Sequence, residues 1–548
     1  MYQVTVVLIA FTLLILYYLS TRKFNYWKIR GIPYERPLPL FGNYLQYICL
    51  RRPAFLVAQR LCERFPDAPL VGTFYGTQPA LLLQDPELVR VVTTKDFYYF
   101  NSREVADYTP REAVTQSLFF TYGDRWKVIR NNLTPLFTSA KMKNMFYLIE
   151  KCTHQLEALI EAETSGSGGA ELDMRQLMAR FTMDCIGSCA FGIETNTLVK
   201  SDEPNPYRVM GDKILENSFD RGFRLVCRAM WPAAFYGLRF RVFPEEIIHF
   251  FKTMLLKVFE VRGYRPTNRN DFVDLLLDLK QNNYLVGESI TTYKNGEGRQ
   301  VRLEFDDETM SAQCVVFFAA GYETSATTLA YTLHMLARHP AAQDRVIAEV
   351  EEFLRRHGGR IPYDCVYELP YTMACVQETL RLFPVLGVVT RELVEDHVLP
   401  GGLHLNRGLR VHIPVYHFHH NPKYFPNPEE FDPERFLGER KKTIKPYTYM
   451  PFGEGPRLCI GMRFAWMQML AGLAAVFRRH SVATAHDSRD VKHFHYDPTS
   501  IVTIPTHSIN LKLVKYELMS EVRLLSRILK KSSLYPDYES LKLANWST

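Results

Sequence analysis

The chain lacks anything that would divide it. Across its 548 residues no linker rich in Pro, Ser or Gly separates one part from another. There is no internal repeat and no low-complexity tract, so solenoids and beads of small domains are excluded. Length alone would suggest roughly three or four domains of about 150 residues; with no boundary between them, the reading is one large catalytic domain. An excess of one charge is also missing. Lys+Arg number 66 against 59 Asp+Glu, a net charge of +7 that is spread along the chain. Without a basic tract interleaved with aromatics, nucleic acid is not an expected partner. The ten cysteines include no CxxC and show no regular spacing. That argues against a disulfide framework or a structural zinc site, and fits buried thiols in a reducing compartment. Charged residues at 23% and hydrophobic ones at 47% are globular proportions, which exclude collagenous and coiled-coil classes.

One long apolar run is present, Val4 to Leu19, flanked by Tyr2, Tyr17 and Tyr18. It predicts a transmembrane anchor over residues 1–21. Arg22, Lys23, Lys28 and Arg30 follow it and no charge precedes it, so the positive-inside rule puts the body in the cytosol. A cleaved signal would need a basic start and a small-residue cleavage site, and neither is there. Pro33, Pro37 and Pro39 predict a stiff, extended hinge over 22–43. The catalytic domain is expected over 44–517. Residues 518–548 form an extension read as a poorly ordered tail, with a basic amphipathic helix at Arg523–Lys531 as the alternative. In a cytosolic body the sequons at Asn132 and Asn545 stay unused.

Periodicity makes the domain mainly α-helical with small β-sheets. Strands are expected around 70–83 and 399–413, helices over most of 139–339, and exposed loops at 164–170 and 282–300. Residues 310–339 contain no proline before Pro340 and predict a helix of roughly 45 Å at about 1.5 Å per residue. Its apolar middle, Val315 to Ala320, should be buried. Into that stretch the sequence sets Gly321, Glu323 and Thr324.

The segment Pro451-Phe-Gly-Glu-Gly-Pro-Arg-Leu-Cys-Ile-Gly461 describes a tight loop that presents a thiolate to a flat ligand and then starts a helix. A helix N-terminus favours the negative charge of a metal-bound thiolate, and Arg457 could meet an acidic group on the ligand. Phe452, Gly455, Arg457, Cys459 and Gly461 reproduce the pattern Phe-x-x-Gly-x-Arg-x-Cys-x-Gly. In this the chain resembles the cytochrome P-450 superfamily. The resemblance implies the haem-thiolate fold, haem b as cofactor and Cys459 as the axial ligand of its iron.

Further motifs extend the resemblance from the anchor to about Val514. Glu378, Arg381 and Arg435 match its structural Glu-Arg-Arg network. Gly321, Glu323 and Thr324 match its oxygen-activation motif, with Gly321 opening space for dioxygen and the acid–alcohol pair delivering protons. Trp126 and Arg130 match its propionate-binding pair, to which Arg391 and Arg457 are added. Phe119, Phe120, Phe317, Phe318, Ala320, Val385, Leu386, Val389 and Ile501 fall where relatives line the substrate pocket. Lys127, Arg440, Lys441, Lys442 and Lys445 fall near the face that receives an electron donor. His417, His419 and His420 resemble ordinary family sequence and are not read as a metal site. The hinge, Phe100-Asn-Ser-Arg103, residues 122–137 and Cys459 to Phe464 look most like the insect family-six enzymes. A microsomal monooxygenase of the endoplasmic reticulum is implied, taking electrons from NADPH-cytochrome P-450 reductase, with cytochrome b5 as a second donor, and oxidising small lipophilic xenobiotics with O₂. A reductase-independent haem-thiolate isomerase or dehydratase and a non-catalytic haem protein are the competing classes; Glu323 and Thr324 speak against both.

Overall fold

A single helix of 32 residues, Asp307–Arg338, forms the axis of the body. Asp306 starts it, its carboxylate accepting the Thr309 N–H at 2.8 Å, and Pro340 follows its end and opens the next helix. The cap lies ahead of the apolar run, so the helix begins three residues before the expected Met310. It packs against Met174–Ile186 on one side and against Pro370–Leu382 and Met462–Phe477 on the others. These helices and Ser139–Thr164 share one apolar core. The computed structural model describes residues 2–165, 169–214, 218–269, 271–281, 284–485 and 494–515. The extension at 518–548, with Arg523–Lys531 and Asn545, lies outside the described residues.

The main sheet has four strands in the order Leu70–Tyr75, Gln78–Leu83, Arg410–Ile413, Val389–Glu392. The first two form a hairpin in register Leu70↔Leu83, the third joins in parallel, and the fourth is antiparallel to it with Arg391↔Val411. This edge strand carries Arg391 inward. Residues 282–300, expected as a loop, instead supply strand Tyr284–Glu288, paired with Gln300–Glu304 in register Tyr284↔Glu304. The two strands alternate in burial, a period-two pattern too short to stand out among polar residues.

The N-terminal helix Tyr2–Thr21 exposes nearly all its apolar side chains, and 20 residues at about 1.5 Å each span roughly the 30 Å of a bilayer core. The segment after it is not a free spacer. Trp27 is fully buried, its indole N–H donates to Thr73 O at 2.9 Å, and the Gly72 N–H donates to Pro33 O at 2.8 Å. Glu35 pairs with Arg60 and Arg64. The expected hinge is therefore docked onto the sheet. Among the sequons, Asn132 donates through Nδ2 to Val128 O and Val286 O.

Buried histidines make stability depend on pH. Burial pushes His412 and His420 down to about 3, and His334 and His417 down to about 4. The unfolded chain takes up these protons near pH 6.5, and the folded chain does so only at about 3–4. Stability is thus present above pH 6.5 and falls as pH drops through the interval to 4. Each histidine contributes about 1 kcal/mol of loss between pH 7 and 5.5. Urea midpoints at the two pH values check this; equal midpoints would contradict it.

Candidate active site

The loop before helix Met462–Phe477 is built on glycine. Gly455 has φ +70°, and a Cβ there would lie 2.0 Å from Thr93 O, so no other residue fits. The Cys459 N–H donates to Phe452 O at 2.9 Å and closes the loop. Protein surrounds Cys459, yet the residue keeps an open surface, so it faces an interior space. Burial pushes its thiol up, while the Gly461 N–H, Arg130 and Arg103 act in the opposite sense and favour a thiolate. A Cβ on Gly461 would meet nothing nearer than Phe137 at 4.0 Å. Protein packing alone does not require glycine there, and its bareness leaves room beside the cysteine.

Around this space stand four guanidiniums, Arg103, Arg130, Arg391 and Arg457. Arg457 donates to the carbonyls of Asn101, Leu118 and Thr121, and its guanidinium lies 4.5 Å from the Trp126 ring centroid. Arg391 donates to Thr390 O, and Nε of Arg391 and of Arg103 are buried without a partner. Among the described residues no carboxylate forms an ion pair with any of the four. Burial pulls Arg391 down to about 9 and Arg103 to about 10, and it lowers Arg457 and Arg130; the neighbouring arginines lower Arg457 further. Such a cluster is costly without anions. It fits a ligand with carboxylate groups at its edge, as haem has in its two propionates. Trp126 and Arg130 share the helix Gly123–Leu133, as their spacing predicts. Arg103 belongs to no motif that marks it as a ligand residue, although it stands in the segment Phe100-Asn-Ser-Arg103 that resembles the family. Its guanidinium stacks on Phe119 at 4.1 Å.

On the long helix the open face is narrow. Ala320 is exposed and Val316 and Thr324 are half-buried, in a helix otherwise largely inside; i−4 and i+4 from Ala320 lie on one stripe. Thr324 Oγ1 donates to Ala320 O at 2.8 Å. Gly321 faces elsewhere. A Cβ there would lie 2.7 Å from Ile186, so the glycine permits close crossing of Met174–Ile186. Glu323 is also turned away from Thr324. Its Oε1 takes Arg175 Nε at 2.9 Å and Thr327 Oγ1 at 3.2 Å. Burial holds the Glu323 carboxyl above its ordinary range, only partly offset by Arg175. Neighbours in sequence are about 100° apart on a helix, which separates the acid from the alcohol. Gln468, a lone amide in an apolar helix, donates to Gly321 O at 2.8 Å and Ser325 Oγ at 2.6 Å. It braces the cysteine's helix against the long one. Its isolation in the apolar run was the signal that could have found it.

Gly321→Ala should therefore act through packing. An overpacking cost of about 1–3 kcal/mol outweighs the roughly 1 kcal/mol gained in helix propensity. A lower melting temperature is the expected result, with a smaller loss when the same change is made in an Ile186→Ala background that removes both of the nearest atoms; a stabilised single variant would contradict it.

Glu378 and Arg381 are wholly buried and bidentate, Nε–Oε2 2.7 Å and Nη2–Oε1 2.8 Å. Arg435 Nε donates to Glu378 Oε1 at 3.3 Å, and so does the Asp432 N–H at 2.9 Å. Arg381 also donates to His419 O, while His419 Nε2 accepts the Met450 N–H at 3.0 Å. The network thus reaches the start of the cysteine loop. Both His419 ring nitrogens are engaged, Nδ1 with Arg381 O.

Comparison with known proteins settles the family. The sequence profile described as Cytochrome P450 matches residues 32–513. Cytochrome P450 6B2 of Helicoverpa armigera is 33% identical over 507 residues, 92% of this chain and 97% of that protein. The chain belongs to the cytochrome P450 family. Cytochrome P450 6a2 of Drosophila melanogaster is 35% identical over 517 residues, 94% and 99% of the two chains. Cytochrome P450 6B5 of Papilio glaucus is 37% identical over 474 residues, 85% and 95%. Family members bind haem through an axial cysteine thiolate and work with a redox partner, O₂ and hydrophobic substrates; this chain is a cytochrome P450 monooxygenase.

Within this P450, the residues expected at the pocket differ in burial. Phe318 is fully buried against Phe191 and Phe251, opposite Ala320. Phe317 sits at the edge of the stripe, packed on Phe137 and Phe272. Val316 and Phe317, both half-buried, flank Ala320 on the helix. Val389 is buried in the core of the main sheet. Phe119, Phe120, Val385 and Leu386 are half-buried and Ile501 is 47% exposed; Val385 O accepts the Thr503 N–H.

The expected basic face is also thinner than the sequence suggests. Lys127 is buried and donates to Ser289 O at 3.0 Å and Thr292 Oγ1 at 2.7 Å. Arg440 pairs with Asp432 and Lys442 with Glu439. Lys441 and Lys445 are not in ion pairs among the described residues. A residue's sequence neighbourhood does not tell which side of a helix it occupies or which acid the fold brings to it.

Proposed function

We propose that this P450 is an endoplasmic-reticulum monooxygenase that oxidises small lipophilic compounds, xenobiotics such as plant toxins or insecticides among them, with electrons from NADPH through a membrane reductase. The enclosed Cys459 beside four arginines that lack carboxylates is the observation that carries the site assignment. Cys459 would supply the thiolate that ligates the haem iron, and Arg103, Arg130, Arg391, Arg457 and Trp126 would hold the propionates. When bound, haem supplies the activation of O₂ that leads to insertion of one oxygen atom. Phe452 O and the Gly461 N–H keep the thiolate oriented and charge-stabilised. Val316 and Ala320 give the open stripe of the long helix a small apolar surface on which a lipophilic substrate would pack.

Thr324 holds a proton at Oγ1, and to pass it on it must release Ala320 O. Arg175 is 29% exposed and bonded to the buried Glu323, a pair that braces the helix on a face away from Thr324. Thr324→Ala should lower product formed per NADPH consumed by at least roughly tenfold. That is below the 10²–10⁴ of a full acid–base group, because water can stand in. The rest of the NADPH ends as hydrogen peroxide or water.

The test reconstitutes the full chain with reductase and NADPH under ¹⁸O₂ and screens lipophilic compounds. One labelled oxygen per product is expected. Turnover without NADPH, or unlabelled product, would favour an isomerase or dehydratase.

A further inference from the structure

A cavity of about 570 Å³ lies away from Cys459, between helix Ala54–Glu63 and the segment 494–506. That volume is in the range of small-molecule sites. Its apolar wall is Leu56, Phe494 and Tyr496, of which Tyr496 packs on Phe55 and Phe494 on Tyr331 of the long helix. At its rim stand Arg51, Arg52 and Arg60 against one acid, Glu63, whose carboxyl burial pushes up. Arg51 and Arg52 are exposed and have no ion-pair partner among the described residues. Arg60 is tied to Glu35 of the segment that leaves the N-terminal helix. An apolar wall beneath unpaired guanidiniums suits an amphiphile with an anionic head, since guanidinium forks match phosphate and carboxylate.

We propose that this cavity binds an anionic phospholipid of the membrane that the N-terminal helix enters, with Arg51 and Arg52 on the headgroup and an acyl chain along Leu56, Phe494 and Tyr496. Its link to the anchor through Arg60 and Glu35 favours a membrane lipid over a soluble anion. The assignment is independent of the catalytic reading.

The full-length protein in neutral detergent is titrated with dihexanoylphosphatidylserine, dihexanoylphosphatidylcholine and inorganic phosphate, with thermal shift and tryptophan fluorescence as readouts. The wild type is expected to bind the serine lipid about tenfold more tightly than the choline lipid. The preference should disappear in Arg51→Glu/Arg52→Glu and persist in Lys252→Glu/Arg265→Glu, which carries the same charge change at exposed sites elsewhere. Equal affinity for the two lipids, or a preference that survives the Arg51/Arg52 change, overturns the proposal. Inorganic phosphate binding as tightly as the serine lipid overturns it in favour of a free-anion site. A slower spectral response to 1-decylimidazole in the double variant, with lipid binding intact, overturns it in favour of a substrate entrance. Failure of the haem assignment would appear separately, as no azole-induced spectrum in the wild type.

Discussion

Serine in place of Cys459 removes the long-wavelength Soret band of the reduced, carbon-monoxide-bound protein and lowers monooxygenase activity by on the order of 10³ or more. The change is small sterically and the loop should survive it, since Gly455 against Thr93 and the Cys459 N–H to Phe452 O are backbone features. What is lost is the soft, anionic sulfur that donates electron density to the iron. Arg103 and Arg130, which favour a thiolate at this position, do not bring a serine hydroxyl into its ionised range. Haem can still be retained by the arginine cluster, so content and ligation are read separately, by pyridine haemochromogen and by the carbon-monoxide difference spectrum. An unchanged Soret position in the variant would remove Cys459 from the ligand role and the oxygenase mechanism with it.

Glu378→Gln prevents accumulation of folded haem protein. The carboxylate accepts from Arg381 twice, from Arg435 and from the Asp432 N–H, with both ends of the central pair wholly buried. Removing its charge leaves the buried Arg381 guanidinium without an anion and Arg435 with Asp432 alone, at 3.9 Å. The cost is about 3–5 kcal/mol, a large part of the roughly 5–15 kcal/mol that holds a typical fold. Because Arg381 holds His419 and His419 holds Met450, the cysteine loop loosens as well. In the small fraction that folds, haem loss on mild warming should therefore precede global unfolding. A denaturant midpoint within error of the wild type would show that the network contributes little. Arg381→Lys is expected to be nearly as damaging, since an ammonium cannot span both carboxylate oxygens and two carbonyls at once.

The sequence by itself determined the parts whose chemistry is local. The glycine–cysteine loop, the spacing of Trp126 and Arg130, the Glu378–Arg381 pair, the long central helix and the apolar N-terminal helix were all legible, because each depends on contacts within a few residues. The tertiary structure decided what depends on direction and on partners distant in the chain. Gly321 turned out to admit Ile186, Glu323 to bind Arg175, Lys127 to be buried under residues 288–292, and Phe318 to face the core in place of a substrate. Arg103 and Gln468 gained their roles only when the fold brought Cys459 and Gly321 to them. Helical periodicity fixes how far apart two side chains lie around an axis. Only the packing of other elements fixes which side is inside, because that depends on contacts between residues hundreds of positions apart.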